Sequence, residues 1–252
     1  MIRIPILPRS PLVPFPPVAQ ALEEPNGLLC AGGDLSAERL LLAYRSGIFP
    51  WFSEGEPILW WSPQPRAVFE LDATRPNARF RRFARSCPWT LRIDHDFAAV
   101  IDACAAPRDY ADGTWITAAM RTAYLNLHRL GHAHCIAAFE GDECVGGLYG
   151  LAIGRVFFGE SMFSRRTNAS KLAFYALAAT LFIAVIGAVD DIRSLPVLTR
   201  LLAQAIAVGA ILSAWPGDLR IFPLGPLWVE QGVLLLAGIW FVNLVNFMDG
   251  LD

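Results

Sequence analysis

The chain has 252 residues, enough for one large domain or two smaller ones with a full core, and a formal net charge of -2. Residues 1–171 hold 18 of the 21 basic and 17 of the 23 acidic residues, so the charge-poor remainder supplies the positive mean hydropathy and marks a compositional boundary. Five cysteines, an odd number with no CxxC or Cys/His ligand spacing, argue against a disulfide framework or a zinc site and fit reduced thiols.

Six prolines within residues 1–20 forbid regular helix and predict an extended arm laid across a surface. The first thirty residues also carry Arg3, Arg9, Glu23 and Glu24 without a continuous apolar stretch. They do not read as a signal peptide, so residues 1–171 are expected in the cytoplasm. Glu24-Pro25-Asn26-Gly27 is a turn, and Gly32-Gly33-Asp34-Leu35-Ser36 leads into a short amphipathic helix over 37–45 with an Asp or Ser cap. No GK[ST] follows the paired glycines, which favours an ordinary turn over a phosphate loop. The aromatics Phe49, Trp51, Phe52, Trp60 and Trp61, broken by Pro50, Pro57 and Pro63, cannot all lie on one strand face. They suit either the wall of a pocket or a small core under a Pro-rich loop.

Arg75, Arg79, Arg81, Arg82 and Arg85 follow with no acid among them, interleaved with Phe80 and Phe83. A solvated helix face is one reading; a field able to hold phosphates is the other. Helical spacing recurs over 96–104 and 117–130, and the turn before the second helix presents Trp115. His128, His132 and His134 have no acid or cysteine at ligand spacing and read as a helix end and a strand start. Strands are expected over 134–139, 144–151 and 155–162, with turns at 140–143 and 153–154. The last strand delivers Glu160 among Phe157, Phe158, Met162 and Phe163. A carboxylate so placed is partly desolvated, which raises its pKa or calls for a cation or donor and marks functional sites. A structural acid paired with Arg165 or Arg166 is the alternative. Asn168-Ala169-Ser170 caps a helix expected from Lys171.

From Leu172 to Val189 no charged residue occurs in eighteen positions, and apolar runs recur over 201–215 and 232–245. Three such runs read as transmembrane helices or as buried helices of a large core. The membrane reading contains a conflict, because Arg193 and Arg200 place the following loop inside and residues 1–171 outside.

Six segments, Glu24-Pro25-Asn26-Gly27, Gly32-Gly33-Asp34-Leu35-Ser36, Gly47-Ile48-Phe49-Pro50-Trp51-Phe52, Trp60-Trp61-Ser62-Pro63, Gly113-Thr114-Trp115-Ile116-Thr117 and Gly159-Glu160-Ser161-Met162-Phe163-Ser164, resemble the leucyl/phenylalanyl-tRNA protein transferase family. The resemblance runs to about Leu177. It implies an α+β fold: a small N-terminal domain over 1–62 and a partial acetyltransferase-like (GNAT-like) sheet domain over 63–178. It also implies transfer of Leu or Phe from aminoacyl-tRNA to the N-terminal Arg or Lys of acceptor proteins, marking them for degradation, without a cofactor. Trp51, Trp115, Leu148 and Phe157 match positions that line the side-chain pocket in that family. Arg81, Arg82 and Arg85 match basic positions that grip the tRNA acceptor end, and Glu160 matches an acid that orients the amine or the ester. A further family strand, carrying an Asp and a Gln, finds no match, so the expectation is a composite chain with an incomplete sheet and impaired transfer. Residues 179–252 are expected as about three transmembrane-like helices in the inner membrane. There, Gly187-Ala188-Val189-Asp190-Asp191-Ile192-Arg193 and Asn243-Leu244-Val245-Asn246-Phe247-Met248-Asp249-Gly250 resemble membrane enzymes that move a sugar 1-phosphate from a UDP-sugar to a polyprenyl phosphate. That resemblance implies a Mg²⁺ site at Asp190, Asp191 and Asp249, as the alternative activity.

Overall fold

The proline-rich arm runs without α-helix, and its one short strand, β1 (Ile6–Leu7), lies parallel to β2 (Leu28–Gly32). The computed structural model describes residues 4–70, 76–107, 114–178, 201–202, 204–206, 208–209, 212 and 226–249. Two compact units interleave along the chain: one draws on 1–68, 92–137 and 146–165, the other on 69–91, 138–145 and 166–252.

In the first unit, β3 (Phe49–Pro50) and β4 (Leu59–Trp61) complete a sheet of order β1-β2-β4-β3. Helix α1 (Ala37–Arg45) starts where Ser36 accepts a hydrogen bond from the Arg39 amide, and it buries Leu40, Ala43 and Tyr44. Arg39 lies on the same buried face. Its guanidinium donates to the carbonyls of Pro8 and Arg9 at 3.0 and 3.2 Å and pairs with Asp34 at 3.3 Å, fastening the arm. Gly33, with φ of 77°, makes room for it: a Cβ there would sit 3.1 Å from the Arg39 side chain. The paired glycines therefore serve a turn, as expected.

The second sheet has the order β5-β6-β7-β8, built from β5 (Thr90–Ile93), β6 (Ala133–Glu140), β7 (Glu143–Ile153) and β8 (Val156–Ser164). With it go α3 (Phe97–Ala105), capped by Asp96, and α4 (Ala118–Arg129), capped by Thr117. Val100, Ile101, Met120, Tyr124 and Leu127 are buried at the 3–4 residue spacing that predicted these helices. Each fully buried aliphatic side chain among them contributes about 1.5–3 kcal/mol.

In the second unit, α2 (Ala78–Ser86) begins at Asn77, whose side chain accepts from the Phe80 amide at 2.8 Å. Phe80 packs on Tyr175 and Phe83, and Phe83 meets Trp89, which covers Ala138, Val145 and Ala169. The helix over 169–178 starts two residues ahead of Lys171, because Asn168 takes the left-handed conformation, φ of 74°, that ends the preceding turn.

The expected transmembrane-like helices are corrected by the structure: among the described residues, no helix is long and apolar enough to cross a membrane. The helix Leu227–Asp249 is 23 residues long, but Glu230 stands in its first turn. Gln231 follows, and Asn243 and Asn246 interrupt the second half, leaving eleven continuous apolar residues, 232–242. A span needs about 20. Of the first expected run only 172–178 is described, as helix; residues 179–200 and 213–225 lie outside the described residues. Among the described residues, the membrane placement expected for 172–252 has no such helix to rest on.

Candidate active site

Strands β7 and β8 pair from Ile153↔Val156 to Gly150↔Gly159, then resume at Tyr149↔Ser161. Glu160 is the residue left over. It forms a β-bulge, an irregularity that re-aims a side chain and strengthens local twist. Gly150 allows the close approach on the facing strand, since a Cβ there would strike the Phe158 carbonyl. By register, Leu148, Phe157 and Met162 share one face of the hairpin, and Tyr149 and Phe158 share the other. Glu160 is released from that alternation, and its carboxylate accepts a hydrogen bond from the Tyr124 hydroxyl at 2.9 Å. The Tyr124 oxygen in turn meets the hydroxyl of Tyr44.

Rings lock both phenols in place: Tyr124 stands edge-on to Tyr149 at 5.6 Å, and Tyr44 edge-on to Phe158 at 5.2 Å. Burial pushes the Glu160 carboxyl up from an ordinary 4.5 to about 7, against the opposing pull of the Tyr44 and Tyr124 hydroxyls and of the Arg66 charge. Burial likewise drives Tyr44 and Tyr124 well above the usual phenol range, and the neighbouring Glu160 charge drives them further. Neither Arg165 nor Arg166 pairs with Glu160 among the described residues. Arg166 reaches Glu140 and Glu143 at 3.6 Å each, and Arg165 lies 5.5 Å over the Phe163 ring.

Part of Glu160 opens onto a pocket of about 420 Å³, whose walls include Phe49, Trp51, Trp61, Trp115 and Arg66. That is the size of a small-ligand site. The Trp61 indole donates to the Trp51 carbonyl at 2.7 Å, and the two rings meet edge-on at 5.5 Å. Arg66 donates to the Gly47 carbonyl at 2.6 Å, with its guanidinium 5.0 Å over the Phe49 ring. Trp60 is fully buried and donates to the Gly32 carbonyl at 2.9 Å. The aromatic cluster thus divides between the two readings of it: Trp51 and Trp61 wall a pocket, and Trp60 is core.

Of the expected site residues, Glu160, Trp51 and Trp115 come together in this pocket, while Leu148 and Phe157 are not among its lining residues. Arg81, Arg82 and Arg85 are exposed on α2, in the second unit, and form no ion pair among the described residues; Arg75 lies outside them. Asp190 and Asp191 also lie outside the described residues, and Asp249 ends its helix. Among the described residues no group of three or more His, Cys, Asp or Glu is arranged to hold a metal. All five cysteines are free thiols. Two of the histidines are engaged within the fold: His128 stacks on Phe97 at 4.4 Å, and His134 bonds to Asp94 at 2.7 Å. Sequence reasoning missed Tyr44, Tyr124 and Arg66. The available signal was chemical, because a tyrosine at a core-facing helix position needs a partner for its hydroxyl.

The family model described as "Leucyl/phenylalanyl-tRNA protein transferase" matches residues 68–212, and that of its N-terminal domain matches 33–64. "Glycosyl transferase family 4" matches 173–252, overlapping the first over 173–212. A leucyl/phenylalanyl-tRNA--protein transferase of Xanthomonas euvesicatoria pv. vesicatoria (strain 85-10) is 60% identical over 177 residues, covering 70% of this chain and 71% of the relative. One of Xylella fastidiosa (strain M23) is 61% identical over 174 residues, covering 69% and 72%. Glu160 at its bulge, faced by Trp51 and Trp115, thus sits in a chain that belongs to the leucyl/phenylalanyl-tRNA protein transferase family, a family of aminoacyltransferases.

Proposed function

We propose that this chain moves Leu or Phe from an aminoacyl-tRNA to the N-terminal amine of an acceptor protein that begins with Arg or Lys, with the pocket at Glu160 as the reactive centre. The amine nitrogen attacks the ester carbonyl carbon, the bond to the ribose oxygen breaks, and the amine's surplus proton passes by way of the Glu160 carboxylate to the departing ribose oxygen. The ester arrives activated, so positioning supplies most of the acceleration. A carboxylate poised near neutrality suits the remaining task, which is to hold the amine and take up its proton as the new bond forms. Its negative charge also favours a cationic first residue on the acceptor.

Trp51 and Trp115 offer an aromatic wall to the transferred side chain, while Leu148 and Phe157 lie outside the lining of this pocket. Arg81, Arg82 and Arg85 supply bidentate contacts for tRNA phosphates. Charged tRNA is a cytoplasmic substrate, which puts the reaction in the cytoplasm. The observation that supports this reading most is the raised carboxyl of Glu160 at the mouth of an aromatic pocket. Its test is transfer of radiolabelled Leu from Leu-tRNA to a peptide beginning with Arg. The full chain should label the peptide, and Glu160→Gln should do so about a hundredfold to ten-thousandfold more slowly, the usual worth of one general base. No label above background with the full chain would refute the proposal.

A further inference from the structure

We propose that Tyr124, backed by Tyr44, is a positioning residue for the transfer step: its hydroxyl fixes the direction of the Glu160 carboxylate at the bulge. The inference rests on the reading of Glu160 as the reactive acid and adds the part that aims it.

A glutamate at a bulge has no partner opposite it in the β7–β8 register, so the ladder does not hold its side chain. Four groups face the carboxylate: Tyr44 from α1, Tyr124 from α4, Tyr149 from β7, and Arg66 from the loop after β4. Tyr149 does not aim it, because its buried hydroxyl has no hydrogen-bond partner among the described residues. Arg66 is committed to the Gly47 carbonyl and to the Phe49 ring, and it acts on Glu160 through its charge. Tyr124 donates a hydrogen bond of 2.9 Å to the carboxylate oxygen, and the Tyr44 hydroxyl behind it also favours the charged form. Each phenol has one proton. That of Tyr124 goes to Glu160, and Tyr44 stands behind it with its hydroxyl against the Tyr124 oxygen.

Both tyrosines are held far above the usual phenol range, so they stay protonated donors and do not relay charge. The function left to them is geometric. Two helices whose tyrosines stand 80 positions apart in the chain converge on one side chain, and ring contacts with Tyr149 and Phe158 keep the donors from swinging away.

The test is the pH profile of kcat/KM between about pH 5 and about pH 8.5 for the wild type, Tyr124→Phe, Tyr44→Phe and Glu160→Gln. Phenylalanine keeps the ring and removes only the donor. In the wild type the acid limb attributable to Glu160 has its midpoint near 7. Loss of a hydrogen bond to the charged form should move that midpoint up by about one pH unit in Tyr124→Phe. The rate would then be about tenfold low at about pH 6 and recover towards wild type at the alkaline end. Tyr44→Phe should shift it in the same direction, and it carries the test if Tyr124→Phe does not fold. The acceptor's own amine, titrating at about 7.7–8.0, is common to all four proteins and cancels in ratios to Glu160→Gln. An unmoved midpoint in the tyrosine variants, with or without a lower rate, overturns the positioning role. An acid limb that persists in Glu160→Gln overturns instead the reading of Glu160 itself.

Discussion

Replacing Glu160 by Gln should stabilise the protein at neutral pH while it slows transfer. The carboxyl titrates at about 7 in the fold against an ordinary 4.5. Below the lower value both folded and unfolded chains are protonated, and Glu160 has no effect on stability relative to Gln. Between the two values the unfolded chain ionises and the folded chain resists, so stability falls as pH rises; above the higher value the loss is complete. At about 1.36 kcal/mol per pH unit the full loss is about 3 kcal/mol, an upper figure because part of the side chain opens onto the pocket. Gln offers Tyr124 the same carbonyl acceptor without the charge. Urea unfolding of both proteins at several pH values from about 4.5 to about 8, taken as a difference, cancels every other titrating group. Glu160→Gln should match the wild type at the acid end and exceed it by up to about 3 kcal/mol at the other. A gap that stays flat across that window would refute the assignment of a raised carboxyl.

The two environments of the tryptophans separate stability from function. Trp60→Ala, at a fully buried position, should cost about 3–5 kcal/mol by chemical denaturation. Trp51→Ala, where the side chain is 51% exposed, should change stability by less than about 1 kcal/mol and lower transfer by raising KM for the aminoacyl-tRNA. Tyr149→Phe deletes a buried hydroxyl with no hydrogen-bond partner among the described residues, so it should be neutral or stabilising by up to about 1 kcal/mol. A loss larger than that would show that the hydroxyl has a partner.

Local signals carried much of the fold. Ser36, Asp96 and Thr117 each accept from the amide three residues on, so the starts of α1, α3 and α4 were legible from short-range chemistry. Alternation and turn residues likewise located the hairpin that bears Glu160. What escaped depends on pairs of residues distant in sequence. The bulge is a property of β7 and β8 together, and no single-strand pattern encodes it. Asp94 reaches His134 and the Cys135 amide across 40 and 41 positions, and the Tyr124 bond to Glu160 spans 36. The tail failed for another reason. Apolar runs separated in the sequence were read as spans, but among the described residues no helix joins them into a segment long and apolar enough to cross a membrane.

The bulge also bears on any attempt to move this site elsewhere. A designer who grafts the acid and its aromatic neighbours onto a regular hairpin would obtain a tidier ladder, but parity would then assign the acid to one face or the other. The extra backbone unit must travel with the side chain, and so must the glycine opposite. A one-residue deletion in β8 would leave every pocket residue but one present in the sequence and still shift the register on one side of the gap.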